Sequence, residues 1–354
     1  MLPSFVILAL VFLSTLFALV FIYRERNSFT KRAVRHVSAR QSSHSTPTPR
    51  VGGIAIAVGI LSGALLSGDD IFGLMLWTTL PIFLIGLVED LGPDTPPSLR
   101  LSVAALSAVL AIMVLGVKIE RVDVGWFDTW LAIGAVGIAF TIFASAGMTH
   151  ALNLMDGLNG LSSATVILIM IGFGATSYKF DHSDLVVMNA VIIVAFLGFM
   201  LMNFPRGRIF LGDAGAYSVG HVIAWNAIIL LNREPSISAW GILLIVLWPV
   251  LDTLSSIWRR VVSGRSPALP DRLHFHHLLM RLVKIISIRN IPTERANPIG
   301  SILMWPFIAA PCVIGYIFID SPSSAMWSTL LFFFVYAISY TALVKFAGKL
   351  RKLL

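Results

Sequence analysis

Residues 185 to 203 read LVVMNAVIIVAFLGFMLMN, a stretch without a single charged side chain. A lipid core about 30 Å thick takes roughly 20 apolar residues as one helix, so this stretch is long enough to cross a bilayer. Outward from it, runs of the same kind lie near residues 2 to 23, 52 to 68, 71 to 88, 101 to 117, 128 to 148, 161 to 177, 215 to 232, 237 to 257, 299 to 319 and 325 to 344. The other architecture that satisfies every backbone group in lipid is a closed barrel, which reads as alternating segments of about ten residues. These runs are continuous instead. The expected fold is all-α, a polytopic integral membrane protein with about 11 transmembrane helices.

Composition points the same way. The chain is 57% hydrophobic and 12% charged, where soluble domains run at about 45–50% apolar and about 25% charged; its mean hydropathy is +0.86. No polar half could fold separately in water, so residues 1 to 354 are expected to form a single transmembrane domain. Disorder and a collagen-like repeat are excluded. A disulfide scaffold is excluded too, because Cys312 is the only cysteine.

Orientation follows from the cations. The first run has no basic residue before it, and Arg24, Arg26, Lys31, Arg32 and Arg35 follow it, so it reads as an uncleaved anchor with its N-terminus outside. Eleven spans from that start put 22 of the 26 Lys and Arg on the cytoplasmic side, with a cytoplasmic C-terminus, and leave only Lys118, Arg121, Lys179 and Arg233 opposite. Positive residues collect inside, and an anionic leaflet accounts for the net charge of +8 without nucleic acid. The outer connections are too short to build a site. The cytoplasmic loops, near 24–50, 89–100, 149–160, 203–216 and 259–298, hold nearly every polar constellation, and Ser42 to Pro49 is a Ser/Thr/Pro linker within the first.

A carboxylate at a membrane helix end costs a few kcal/mol unless it is hydrated, paired or metal-bound. Glu89 and Asp90 end the third run, Asp156 lies in Asn153-Leu154-Met155-Asp156-Gly157-Leu158-Asn159-Gly160, and Asp213 lies in Phe210-Leu211-Gly212-Asp213-Ala214-Gly215-Ala216. Four acids on one face repel one another unless a hard divalent cation joins them, and magnesium takes oxygen ligands while sharing substrate phosphates; solvated helix ends are the plainer reading. The Gly212-Asp213-Ala214-Gly215 stretch is expected to offer free backbone N–H groups to a diphosphate. Gly59 and Gly63 have the spacing of close helix packing. Asp271 to His277 brings His274, His276 and His277 together among arginines; with no thiolate partner, zinc gives way to hydrogen bonding of phosphates, to which Arg259, Arg260 and Arg265 can add forked donors. Leu278, Leu279, Leu282, Ile285 and Ile286 alternate with Arg281 and Lys284 as in a helix lying in the interface. Asp252, about two turns inside the ninth run, is a functional candidate by its depth or else a partner for a nearby Arg. His221 and Asn226 read as interhelical hydrogen bonds.

Taken in order, Pro49-Arg50-Val51-Gly52-Gly53, Gly86-Leu87-Val88-Glu89-Asp90, Asn153 to Leu161, Gly207 to Gly215 and His274-Phe275-His276-His277 resemble the polyprenyl-phosphate N-acetylhexosamine-1-phosphate transferases, similar to bacterial enzymes that begin O-antigen, exopolysaccharide and related glycans. The resemblance implies transfer of a sugar-1-phosphate from a UDP-N-acetylhexosamine to undecaprenyl phosphate, with UMP released, at the cytoplasmic face of a bacterial inner membrane. It implies magnesium, or manganese in its place. It implies Asp213 as metal ligand, Asp90 as base or phosphate organiser with Glu89 beside it, and Asp156 as a nucleotide-site or metal-site carboxylate. Asn153, Arg50, Arg208, His274, His276, His277 and Asp252 would then serve the substrates. Three positions depart from the family pattern: Glu89 stands where an aspartate is common, His150 where an Asn is frequent, and Asn159 where some members carry a second Asp. His-Phe-His-His, in place of three adjacent histidines, argues against the muramoyl-pentapeptide branch and for a smaller amino sugar. A nucleotide-sugar or cation transporter and a catalytically inactive paralogue are the rival classes; a transporter should carry its site near the midplane and show internal repeats, and none is visible. Oligomeric state is open, a homodimer included.

Overall fold

The computed structural model describes residues 3–26, 48–92, 95–266, 271, 273–287 and 291–350. Lys31, Arg32, Arg35, Arg272 and residues 42–47 of the linker lie outside the described residues. The described residues form helices α1 (Ser4–Arg24), α2 (Gly52–Ser67), α3 (Asp70–Leu91), α4 (Pro97–Leu115), α5 (Gly125–Leu131), α6 (Gly134–Met155) and α7 (Leu161–Lys179). They continue as α8 (Ser183–Asn203), α9 (Gly212–Arg233), α10 (Ala239–Ile245), α11 (Leu247–Val262), α12 (Phe275–Ile286), α13 (Thr293–Ile317) and α14 (Pro322–Leu350). Nine are long and apolar enough to cross a membrane, ten if the bent pair α10–α11 is one span, and α2 is a shorter apolar helix. The protein is a multi-pass, all-helical membrane protein.

α9 is the axis of the bundle. It packs on α3, α6, α2 and α7, and its face of Gly212, Ala214, Gly215, Ala216 and Gly220 explains how so many neighbours fit, since small residues let backbones approach. Gly59 and Gly63 do pack as their spacing suggests, with Thr15 and Val191 where a side chain would otherwise project. His221 bonds Thr78 at 3.2 Å and Asn226 donates to Asn189 at 2.8 Å, so both are interhelical links.

Two spans differ from their sequence reading. The fifth, expected at 128 to 148, is α6 at Gly134–Met155, while residues 125–131 form the separate helix α5. The reason is Asp128, whose carboxylate accepts the N–H groups of Val122 and Val124 and holds this turn as a cap. The later end of α6 puts His150 and Asn153 on a helix rather than in a loop. The ninth, expected as one run at 237 to 257, is broken by 80° between α10 and α11. Pro249 has no N–H for the carbonyl of Ile245 four residues back, and that freed carbonyl accepts Cys312 Sγ of α13 at 3.0 Å. A buried backbone group therefore stays satisfied through the break.

The four cations that stand apart in the charge count are each paired with an acid: Lys118 with Glu120, Arg121 with Asp123, Lys179 with Asp320, and Arg233 with Asp184, at 2.6 to 2.8 Å. Asn232 ties their end of the bundle together by donating to the Lys118 carbonyl. Neutralised in this way, they weaken the charge asymmetry less than their number suggests.

Candidate active site

The first and fourth motifs meet through their backbones. Phe210 N–H donates to the Pro49 carbonyl at 2.8 Å, Gly52 N–H to Phe210 at 2.9 Å and Gly53 N–H to Leu211 at 2.7 Å. This clip runs the chain into Gly212 at φ +78°, a left-handed conformation that favours glycine. A Cβ there would strike the Arg50 carbonyl and an Asp90 oxygen. Gly86 brings the second motif equally close: a Cβ on it would lie 2.5 Å from the Ala214 nitrogen.

That contact lets Asp90 reach the start of α9. Its Oδ1 accepts Asp213 N–H at 2.8 Å and its Oδ2 accepts Ala214 N–H at 2.9 Å. Asp156 accepts the Ser162 hydroxyl at 2.7 Å. Two opening N–H groups of α9, expected from the sequence to be free for a diphosphate, are therefore occupied by the Asp90 carboxylate. The physical reason is that an N-terminus carries unpaired donors and partial positive charge, and a carboxylate from α3 is within reach to satisfy them. Burial holds the Asp156 carboxyl above the usual range.

Asp213 is left pointing elsewhere. Its Oδ1 accepts Asn153 Nδ2 at 2.6 Å and the Arg50 guanidinium at 3.3 Å, while no hydrogen bond to Oδ2 is seen among the described residues. Glu89 is turned the other way, accepting Thr95 Oγ1 and, at 2.7 Å, Arg100 Nη1, which also donates to Tyr217 at 3.2 Å. His150 packs edge-on against Tyr217.

The third and fifth motifs meet at Gly157, where a side chain would run into the rings of His276 and His277. His276 is fully buried with neither ring nitrogen bonded among the described residues. Burial pushes His277 down to about 4 and His276 well below its usual value, so both are neutral at pH 7 and donate without adding charge. Asp252 lies behind them, 1% exposed, bonded to His274 Nδ1 at 2.9 Å. Arg208 is exposed and stands over the Tyr23 ring at 6.0 Å. Arg259 is engaged by Asp271 at 2.8 Å, and Arg260 donates to the Ser266 carbonyl, so the arginine group is largely spent on its own segment. Beyond the histidines, α12 forms as the alternation predicts.

Asn159 is a clamp. It donates through Nδ2 to the Pro205 carbonyl at 2.9 Å, and its N–H donates to Asn297 Oδ1 at 2.8 Å. Asn159→Asp would set a buried carboxylate against that carbonyl. The variant is expected to lose about 1–3 kcal/mol of stability, read as a lower unfolding midpoint in detergent; an unchanged midpoint would refute the clamp.

Sequence reasoning missed Arg100, Thr95, Ser162, Tyr217 and Tyr336. Arg100 entered only as an orientation charge, and no spacing marks it as Glu89's partner eleven residues on. The others are ordinary helix or loop residues until the fold brings them to a carboxylate.

Could this set hold a divalent cation? Among the described residues no three His, Cys, Asp or Glu side chains gather closely enough to cage one, so the expected convergence of all four acids on one ion does not occur. Yet Glu89, Asp90, Asp156 and Asp213 face only two guanidiniums, those of Arg50 and Arg100, in the interactions of the site. The acids thus outnumber the guanidiniums facing them by two. An ion that keeps waters and takes phosphate oxygens needs few protein ligands, and the open Oδ2 of Asp213, with Asp156 nearby, fits it.

Comparison with known proteins supplies the class. A family model described as "Glycosyl transferase family 4" matches residues 72–231, which contain Glu89, Asp90, Asn153, Asp156 and Asp213. A probable undecaprenyl-phosphate N-acetylglucosaminyl 1-phosphate transferase of Bacillus subtilis is 28% identical over 239 residues, 67% of this chain and 67% of that protein. An undecaprenyl-phosphate alpha-N-acetylglucosaminyl 1-phosphate transferase of Haemophilus influenzae is 26% identical over 320 residues, 84% of each chain. By these likenesses the chain is similar to the polyprenyl-phosphate N-acetylglucosamine-1-phosphate transferases. A third relative, the decaprenyl-phosphate N-acetylglucosaminephosphotransferase of Mycolicibacterium smegmatis, is 28% identical over 324 residues, 80% of this chain and 75% of that protein. The family's matched segment thus contains every acid of the cluster but not the histidines, which reach it through the fold.

Proposed function

We propose that the protein transfers an N-acetylhexosamine-1-phosphate from a UDP-sugar to undecaprenyl phosphate, releasing UMP and leaving undecaprenyl-diphosphate-sugar in a bacterial inner membrane. The site would lie at the cytoplasmic face, and the product would begin a cell-envelope glycan such as O-antigen or exopolysaccharide. The observation that carries this reading is the cluster of four carboxylates against two guanidiniums around an aspartate with one open oxygen. Such a cluster suits the joining of two phosphate groups through a shared cation, and it sits at one end of the bundle, not at the midplane as a transport site would.

The chemistry asks little proton transfer of the protein. A phosphate monoester with a second pKa near ~6 is mostly dianionic at pH 7, so the acceptor oxygen is ready to attack. It forms a bond to the sugar-bearing phosphorus as the bond from that phosphorus to the UMP oxygen breaks. The barrier lies in bringing anions together in line, and positioning with cationic stabilisation lowers it. Magnesium or manganese, held by Asp213 with Asp156, would supply charge neutralisation at the phosphates. Asn153 orients Asp213. Arg50, paired to the same carboxylate, is placed to pass its guanidinium to a phosphate oxygen as donor and metal enter. Asp90, both oxygens bonded to backbone N–H groups, acts as an organiser of Asp213, and this geometry favours that role over a base. His276 and His277 with Gly157 form the neutral wall suited to the sugar diphosphate.

The test is direct. Purified protein in detergent, given undecaprenyl phosphate and labelled UDP-N-acetylhexosamines, is expected to move label into lipid with equimolar UMP. Transfer should depend on the divalent cation and prefer one donor. No transfer from any donor would remove the catalytic reading.

A further inference from the structure

We propose that Tyr336 is a positioning residue for the transfer, acting through Asp252 to set which ring nitrogen of His274 faces the donor site; this rests on the transferase reading above. The second half of α14 is turned outward. From residue 330 to 346, Tyr336 is its one buried side chain, 4% exposed. An exposed apolar helix needs no buried hydroxyl to pack, and a hydroxyl in such a place usually has a partner.

Its partners are Ser255, whose Oγ lies 2.6 Å away, and Asp252. Asp252 Oδ1 accepts the Tyr336 hydroxyl at 3.0 Å and the Phe275 N–H at 3.0 Å, and Asp252 Oδ2 accepts His274 Nδ1 at 2.9 Å. A carboxylate only accepts, so Nδ1 of His274 carries the hydrogen and Nε2 is the atom left for the site. This is how a second group fixes an imidazole tautomer. The ring orientation is passed on, because His276 stacks on His274 with centroids 5.6 Å apart and planes 14° apart, and His276 is the ring that meets Gly157.

A second tyrosine one turn along supports the same segment. Tyr340 donates to the Leu273 carbonyl, the residue before His274, at 3.0 Å, and stacks on Tyr336 at 6.0 Å and 15°. The polar stripe of α14 therefore grips the histidine motif on both sides of its first ring. Tyr336 itself stands behind Asp252 and touches no reacting atom. Without its hydroxyl, Asp252 keeps its other two bonds, and Oδ1 is held by the Phe275 N–H alone.

Tyr336→Phe removes that hydroxyl and keeps the ring on Trp248 and Phe275, which lie 5.3 and 5.6 Å away. The variant is expected to lose about tenfold in kcat, the range seen when a ligand's supporting hydrogen bond is removed. KM for the UDP-sugar and its binding by calorimetry should stay within about twofold. In a His274→Gln background the same change should cost nothing further, since residues acting as one unit are non-additive. Unchanged kcat, or an equal loss in that background, would overturn the proposal. A readout independent of turnover is the ¹⁵N spectrum of histidine-labelled protein in nanodiscs, with His274 assigned from the His274→Gln variant. The parent should show the Nδ1–H form and Tyr336→Phe a mixture; identical spectra overturn the proposal. Absence of transfer by the parent would instead overturn the transferase reading and leave the spectra to judge Tyr336.

Discussion

Asp213→Asn is expected to cut sugar-phosphate transfer by about 10²–10³-fold, the scale set by removing one preorganised electrostatic group from a reaction centre, while the unfolding midpoint in detergent moves little. The amide keeps an oxygen for the Asn153 side chain, which donates to Oδ1 at 2.6 Å in the parent. The backbone N–H of residue 213 stays bonded to Asp90 at 2.8 Å, so the start of α9 keeps its cap. What disappears is the negative charge on the open oxygen and its hold on Arg50. The loss should therefore appear in kcat and in the concentration of divalent cation needed for half-maximal rate, more than in the KM for undecaprenyl phosphate. A variant that retains more than a tenth of parental turnover would overturn the assignment of Asp213 as a metal ligand.

Gly212→Ala is expected to have a large structural effect. The residue sits at φ +78°, and the new Cβ would press on the Arg50 carbonyl and on the Asp90 oxygen that caps α9. Neither yields cheaply: the first belongs to the segment clipped to residues 210 and 211 by three backbone hydrogen bonds, and the second is bonded to Ala214 N–H at 2.9 Å. Left-handed strain and overpacking each cost about 1–3 kcal/mol, so a total of about 2–6 kcal/mol is expected, with transfer lost as Asp90 and Asp213 shift. Gly264→Ala supplies the control. That glycine also has a positive φ, +64°, but nothing lies within 4 Å of a Cβ on it, so only strain of about 1–2 kcal/mol remains. Equal midpoint shifts for the two variants would show that the packing of the motifs around Gly212 is looser than the structure indicates.

The amino-acid order was a good guide wherever a single segment decides the outcome. A run such as residues 185 to 203 becomes α8 because nothing in it can pay for contact with water except as a helix in lipid. It was a poorer guide wherever two segments compete. Asp128 sits inside an apolar run on paper, yet its bonds to Val122 and Val124 make it a cap and displace the start of α6 to Gly134. Pro249 is a visible signal, but the 80° turn it accompanies needs Cys312 to take the freed carbonyl, and that contact spans 67 residues of chain.

The same division runs through the site. Composition, the apolar runs and the order of the acidic, glycine and histidine motifs were enough to establish by themselves a helical membrane protein with its clustered acids near helix ends. Those features are local, set by hydropathy, period and residue type. The roles of individual carboxylates were decided only in three dimensions, because a carboxylate's role depends on which donors reach it. Asp90 and Asp213 look alike in sequence, and the N-terminus of α9 separates them: one is consumed by backbone N–H groups, the other keeps an oxygen open. Glu89 is claimed by Arg100, and Asp252 by His274 and Tyr336, partners 11, 22 and 84 residues away. Separations of that kind carry no signal in the order of residues, since they are created when helices pack.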